Sequence, residues 1–220
     1  MLGVDTETTG RDPRTARLVT ASLIFDIPGQ ERVVKSWLVN PGIEIPKEAS
    51  DVHGVTTEHA MLFGQNPAEA LAEIVAEIEK WVATGNPLVA YNAPYDFTLL
   101  REEFLRHGVA FNGDFGKVLD PYVMDKWFDK WRKGKRNLTA ASAHYKVELL
   151  DAHSADADAI AAVGVARAIC RKFKVSSSLS DFHDAQARQK EIQNASLQEY
   201  LRRDNPNAVV EDGWPVLPRL

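Results

Sequence analysis

The 220 residues suffice for one domain with a sizeable core, and 45% hydrophobic against 26% charged residues is the balance of an ordinary globular chain. A net charge of −5 argues mildly against a general nucleic-acid binder, though not against an enzyme that gathers acids around metal ions. No apolar window approaches the roughly 18 residues of a membrane span, no basic-then-apolar leader opens the chain, and Cys170 has no disulfide partner, so the expectation is a cytoplasmic protein with no membrane partner.

Three strand signals come first. Residues 1–7 are short and apolar, 17–27 (RLVTASLIFDI) are rich in β-branched residues, and 31–41 (ERVVKSWLVNP) alternate after the turn signal Pro28-Gly29. They read as an antiparallel meander. Residues 46–60 are loop and short helix. A clear helix spans 66–85, with Asn66 as cap, Pro67 at its first position, and Leu71, Ile74, Val75, Ile78 and Val82 as its apolar stripe. Residues 87–92 (PLVAYN) form a buried strand, 95–108 a helix ending at Gly108, and 117–121 a short strand. Helices follow at 122–133, 138–145 and 156–173, the last carrying Cys170 as a small core residue. The segment 174–181 (KVSSSLSD) is the best linker candidate, which divides the chain into a body, 1–173, and a helical extension with an irregular tail, 174–220. This order of elements describes a mixed α/β fold with helices packed over one sheet.

The sequence opens MLGVDTETTG. In a strand, Asp5 and Glu7 share a face, roughly 6.6–7 Å apart along the chain. Two like charges held so close raise each other's pKa and oppose folding, and a bound cation is the simplest offset. Asp96 follows the strand 87–92 and shares a helical face with Leu100 and Phe104, so it sits at the edge of the core. Taken alone it is a helix N-terminal charge, worth about 0.3–1 kcal/mol. His153 precedes the last long helix of the body, and Asp158 lies in its first turns on a face with Ala161, Ala162 and Val165. Asp156 faces the other way, toward solvent or a capping role.

Together these residues resemble the DEDDh (DnaQ-like) 3′→5′ exonucleases, which include the proofreading epsilon subunit of bacterial replicative polymerases. The motifs stand as Asp5-Thr6-Glu7-Thr8-Thr9-Gly10, as YNAPYDFTLL with Asp96, and as AHSADADA with His153 and Asp158; LVNPGIEIPKEASDVHGVT, with His53, is similar to a further family segment. The resemblance covers about residues 1–172. It implies a ribonuclease H-like fold: a mixed central sheet, three antiparallel strands then parallel ones, flanked by helices. It also implies a two-metal phosphodiesterase using Mg²⁺ or Mn²⁺. By the same resemblance Asp5 bridges both metals, Glu7 and Asp158 complete the first, Asp96 supports the second through water, and His153 is the general base. Thr8, Thr9 and Gly10 form a small turn whose backbone N–H groups approach the terminal nucleotide. His53, Asn92 and Phe97 are weaker candidates for nucleotide contact, and Phe97 reads equally as core.

The implied reaction is removal of nucleoside 5′-monophosphates from the 3′ end of mostly single-stranded DNA, in proofreading or repair. The alternatives are an RNA-directed exonuclease of the same superfamily and a non-catalytic polymerase-associated subunit. Nucleic acid is the expected partner and a DNA polymerase a candidate one. The stretch 124–137 (MDKWFDKWRKGKRN) sets Lys126, Lys130, Arg132, Lys133, Lys135 and Arg136 against Asp125 and Asp129, with Trp127, Phe128 and Trp131 interleaved. Two readings are open there: phosphate neutralisation with base stacking, or a solvated helix with its tryptophans in the core. In 181–203, Phe182, Ile192, Leu197, Tyr200 and Leu201, with Leu179 just before, either pack back on the body or meet a partner.

Overall fold

A computed structural model describes residues 1–149 and 154–219. Among these, β1 (Leu2–Thr8), β2 (Leu18–Phe25) and β3 (Val33–Leu38) form the antiparallel meander. β4 (Leu88–Val89) and β5 (Val118–Leu119) join it in parallel, giving the order β3-β2-β1-β4-β5. This is the mixed sheet expected. Asp5 lies opposite Ser22 and Glu7 opposite Thr20, and the register shifts between Glu7 and Thr8. The shift ends regular pairing just where the acids are.

Two short helices, α1 (Lys47–His53) and α2 (Thr57–Phe63), fill the segment after β3. In α3 (Pro67–Val82) the Asn66 side chain caps the Ala68 N–H at 2.9 Å, and the buried stripe runs through Leu71, Ile74, Val75 and Ile78 to Trp81. α3 and α4 (Pro94–Arg106) pack with Leu2, Val4 and Leu23 on one side of the sheet. The other side holds α7 (Ala155–Lys172), with α5 (Pro121–Phe128) and α6 (Leu138–Tyr145) beside it. Cys170 packs, partly buried, against that second core.

The helix expected over 122–133 stops at Phe128. Arg132 and Arg136 instead fold back onto the buried Asp125 carboxylate, with their nearest nitrogens 2.7 and 2.9 Å from Oδ2. The Tyr145 hydroxyl donates to the same group at 2.7 Å. Burial opposes the Asp125 charge, yet hydrogen bonds from Arg132, Tyr145 and Arg136 outweigh it and hold the carboxyl below its usual pKa. A buried carboxylate so committed draws residues 129–136 out of the helical path, and the charge-assisted bonds replace about one and a half helical turns.

α8 (Leu179–Leu201) runs along the free edge of β5. His183 Nδ1 accepts from the Val118 N–H at 2.9 Å, Gln186 Nε2 donates to the Val118 carbonyl at 3.1 Å, and Gln186 Oε1 accepts from the Asp120 N–H at 2.8 Å. Side chains thus satisfy an edge that would otherwise present open backbone groups. The tail then returns across the molecule. Trp214 Nε1 donates to Asp120 at 3.2 Å, the Leu217 N–H to Thr98 at 2.8 Å, and Arg101 to the Leu217 carbonyl at 2.6 Å. Phe182 is buried, whereas Ile192, Leu197, Tyr200 and Leu201 remain exposed. Among the described residues no helix is long and apolar enough to cross a membrane.

Candidate active site

The alternation of β1 sends Leu2, Val4 and Thr6 toward α4 and leaves Gly3, Asp5 and Glu7 on the α7 side. Gly3 permits a close approach: a Cβ there would stand 2.8 Å from the Ala159 carbonyl oxygen and 2.9 Å from Val163 Cγ2. That contact draws the first turns of α7 against β1. Asp158, next to Ala159, thereby joins Asp5 and Glu7, and one carboxylate oxygen from each of the three lies within 4.8 Å of the others. Asp156 points away, is exposed, and accepts from the Ala157 N–H at 2.9 Å.

The electrostatics of this cluster are those of acids short of positive charge. Burial, then the charges of Asp96, Asp158 and Glu7, push Asp5 well above the usual carboxylate range. Burial, then Asp158 and Asp96, push Glu7 to about 8. Asp96 is buried at the start of α4 and is raised by burial to about 7, although hydrogen bonds partly hold it down. The chief of these comes from the Thr6 hydroxyl, which donates to Asp96 Oδ1 at 2.7 Å. Hard oxygen donors in this number and spacing fit a divalent cation of the Mg²⁺ or Mn²⁺ kind, which would neutralise the charges that the fold crowds together.

Asp96 owes its place to Asp120. Asn92 turns through a positive φ of 68° into α4, and Asp120 accepts from the Asn92 and Ala93 N–H groups at 2.9 and 3.1 Å. Asp120 also caps α5 through the Tyr122 and Val123 N–H groups, so one buried carboxylate ties together two helix starts and Trp214. The Asn92 side chain is exposed at the same turn.

Beyond Glu7, the Thr8 and Tyr95 hydroxyls lie 2.5 Å apart and both face the Gly10 carbonyl, 2.8 Å from Thr8 Oγ1, so one hydroxyl donates to the other and the second to the carbonyl. Thr9 is buried: its N–H donates to the Arg17 carbonyl at 3.0 Å, and its hydroxyl accepts from the Arg17 N–H at 2.9 Å. The Thr9 backbone donor, expected to approach a nucleotide, is therefore committed within the loop. A cleft of about 520 Å³ opens over this turn, lined by Glu7, Thr8, Gly10, Val52, His53 and Tyr95 among others. His53 Nδ1 accepts from the Val55 N–H at 3.2 Å, and buried Nε2 faces the Thr8 carbonyl without reaching full hydrogen-bond geometry. Burial is the largest influence on its pKa and lowers it. Phe97 is fully buried and stacks on Phe115 at 4.6 Å, so the core reading of that residue is the one the structure shows. His153 lies outside the described residues.

Four residues that sequence reasoning did not single out shape the site: Gly3, Thr6, Tyr95 and Asp120. Gly3 had a readable signal, a glycine inside an apolar strand two residues before an acid. Asp120 had another, an acid directly before Pro121 at a helix start. Thr6 and Tyr95 had none, because their partners lie about ninety residues away in sequence.

Residues 2–166 match the exonuclease family model RNase_T. The chain belongs to the DEDDh exonuclease family. Over 123 residues it is 39% identical to a DNA polymerase III subunit epsilon-like protein of Rhodobacter capsulatus, a match covering 54% of this chain and 16% of that protein. The chain thus spans about a sixth of the length of that curated relative. Among solved structures it is similar to E. coli Exonuclease I in complex with a dT13 oligonucleotide, with a TM-score of 0.63 and 19% identity, over 79% of this chain and 42% of that one. It is also similar to Exonuclease X in complex with 5′ overhanging duplex DNA, with a TM-score of 0.58 and 19% identity, over 82% and 97%. At these identities the structural likenesses establish the shared fold of this DEDDh chain.

Proposed function

We propose that this DEDDh protein is a metal-dependent 3′→5′ exonuclease that removes nucleoside 5′-monophosphates from the 3′ end of single-stranded DNA. The observation that carries the reading is the gathering of Asp5, Glu7 and Asp158 on one side of β1, with Asp96 alongside, in surroundings that oppose their charge. Asp5, Glu7 and Asp158 would hold one cation, and Asp5 and Asp96 a second. When bound, such a pair stabilises charge on the attacking and leaving oxygens of a phosphodiester. Thr6 fixes the Asp96 carboxylate by its hydroxyl, and hydrogen bonds join Tyr95, Thr8 and Gly10 beside the acids. His53 lines the cleft beside Glu7 and Thr8 that would take the terminal nucleotide, and Asn92 is exposed at the turn into α4. His153, by its place in the family motif, takes the proton from the attacking water; an imidazole with a pKa near 6.5 suits that step.

The test is incubation with 5′-labelled single-stranded DNA and with a matched RNA, in Mg²⁺ or Mn²⁺, alongside Asp5→Ala and EDTA controls. Stepwise shortening from the 3′ end that vanishes in both controls supports the reading. A higher rate on RNA moves the substrate to the RNA-directed alternative, and no cleavage of either overturns the enzyme. The relative named as epsilon-like supports a polymerase as partner; co-elution with a replicative polymerase in gel filtration tests that.

A further inference from the structure

The loop 129–137 and the helices beside it hold a group of cations, several of which make no salt bridge among the described residues. Arg132 and Arg136 are committed to Asp125. Lys126, Lys130, Lys133, Lys135 and Lys190, by contrast, make no ion pair among the described residues. Lys126 is half-buried, and burial together with the Arg136 guanidinium pushes its ammonium below the usual pKa. Lys126 and Lys190 both lie over the Tyr122 ring, at 4.9 and 5.5 Å. Between α5 and α8, Lys126, Lys130 and Arg136 line a cleft of about 630 Å³ together with Trp127, Gln193 and Tyr200 among others, and Lys133 and Lys135 stand on the loop that leads from it. Trp131, 86% exposed, stands on the same loop with Lys130 at 5.3 Å from its ring. In a chain of net charge −5, two lysines without ion pairs in the cleft and three more without ion pairs on the adjoining loop and α8 favour a polyanion.

The loop beside the cleft is also tied to the segment that precedes Asp96. Tyr91 follows Val89 by two residues, as Asp5 follows Gly3, and Gly3 pairs with Val89. Tyr91 lies just beyond β4, directly before the Asn92 turn that launches α4 and Asp96, and it packs against the core on the α7 side of the sheet. Its hydroxyl donates to the Arg136 carbonyl at 2.5 Å, and its ring meets Tyr122 at 5.9 Å. Tyr91 thus links the segment that leads into Asp96 to the basic loop and to the start of α5.

We propose that the α5–α8 cleft and the loop 129–137 bind the phosphate backbone of the single strand several nucleotides upstream of its 3′ end, with Trp131 as a stacking platform for one base. This rests on the exonuclease reading above. A site of this kind adds affinity for long strands and leaves short ones unaffected, and its electrostatic part weakens with salt at about 0.7 per phosphate neutralised on a logarithmic scale.

The test compares the full chain with Lys130→Gln/Lys133→Gln/Lys135→Gln on oligothymidylates of 4 and 24 nucleotides. A second triple variant, Lys80→Gln/Arg171→Gln/Lys174→Gln, carries the same charge change elsewhere. Expected for the loop variant is a rise in KM of about tenfold on the longer strand with kcat unchanged, a rise of under about twofold on the shorter, and a salt slope shallower by about 2. Equal effects on both lengths, or an equal effect of the second variant, overturn the proposal. Unchanged binding of the long strand overturns it too and leaves the cleft to an acidic protein. Binding measured by fluorescence anisotropy in EDTA reads the cleft without hydrolysis, so an inactive enzyme and a wrongly placed strand are told apart.

Discussion

Gly3 and Ala159 meet backbone to backbone: the space for a side chain on Gly3 is filled by the Ala159 carbonyl oxygen, 2.8 Å from where a Cβ would stand. Asp5 is two residues beyond the first, and Asp158 immediately precedes the second. The glycine therefore sets how far apart the two carboxylates are. Gly3→Ala is expected to push α7 outward, cost about 1–3 kcal/mol of stability as an overpacked contact, and lower metal affinity and hydrolysis by tenfold or more. Thermal unfolding and metal titration by calorimetry would show both; unchanged metal affinity would mean that the helix accommodates the methyl without moving Asp158.

Metal-free stability should fall as pH rises. Asp5, Glu7 and Asp96 all titrate above the usual carboxylate range of about 4, with Glu7 at about 8 and Asp96 at about 7. Between those limits the folded protein binds more protons than the unfolded chain, so the slope of stability with pH is negative. The stabilisation is complete below about pH 4 and is lost through about pH 8. In EDTA, Tm is expected to be lower at pH 8.5 than at pH 6, other groups being equal. Saturating Mn²⁺ should narrow the gap, since a ligand at a hundred times its Kd adds about 2.7 kcal/mol. Differential scanning fluorimetry at the two pH values, with and without metal, decides.

Asp5→Asn should separate stability from activity. The amide keeps the shape of the side chain but removes a buried charge that three neighbouring acids oppose. Metal-free Tm at pH 8 is expected to rise, by about 2–4 °C for each kcal/mol gained in a chain of this size, while hydrolysis falls at least a hundredfold. A fall in both would mean that the Asp5 carboxylate makes a stabilising contact of its own.

Asp120→Ala is expected to be among the most damaging changes outside the acid cluster. It strands the N–H groups of Asn92, Ala93 and Tyr122 and the Trp214 indole. Each buried unpaired donor costs about 1–3 kcal/mol, although relaxation and water recover part of the sum. Because the Asn92 turn launches the helix that carries Asp96, kcat should fall in whatever fraction remains folded. Trp214→Phe removes one of these donors and should cost only about 0.5–1.5 kcal/mol. Urea unfolding of the two variants gives the comparison.

The parts of this molecule legible in sequence were those with short-range physical signals. Asn66-Pro67 announced a helix start, the alternation of β3 a half-exposed strand, and the pair Asp5 and Glu7 a shared face. The facing argument also separated Asp158 from Asp156, because alanines mark the buried side of α7. What stayed hidden was set by distant partners. The helix expected to run to 133 ends five residues early because Asp125 draws two arginines back, and nothing local to 129–133 forbids continuation. The basic stretch divided for the same reason: its arginines are structural, its lysines are free of ion pairs, and Trp127 and Trp131 face opposite fates. Thr6 and Tyr95 are ordinary residues in sequence and acquire roles only when α4 lies against β1.

The tail that crosses back to Thr98 and Asp120 acts as a clasp on the helix that carries Asp96. Its bonds join residues 94 and 119 positions apart, so each closes a long loop of chain. Cutting that clasp, by limited proteolysis before Trp214, would leave the Asp120 carboxylate without its indole partner and Arg101 without the Leu217 carbonyl. The start of α4 is then expected to open more readily to hydrogen exchange, with the sheet itself unchanged.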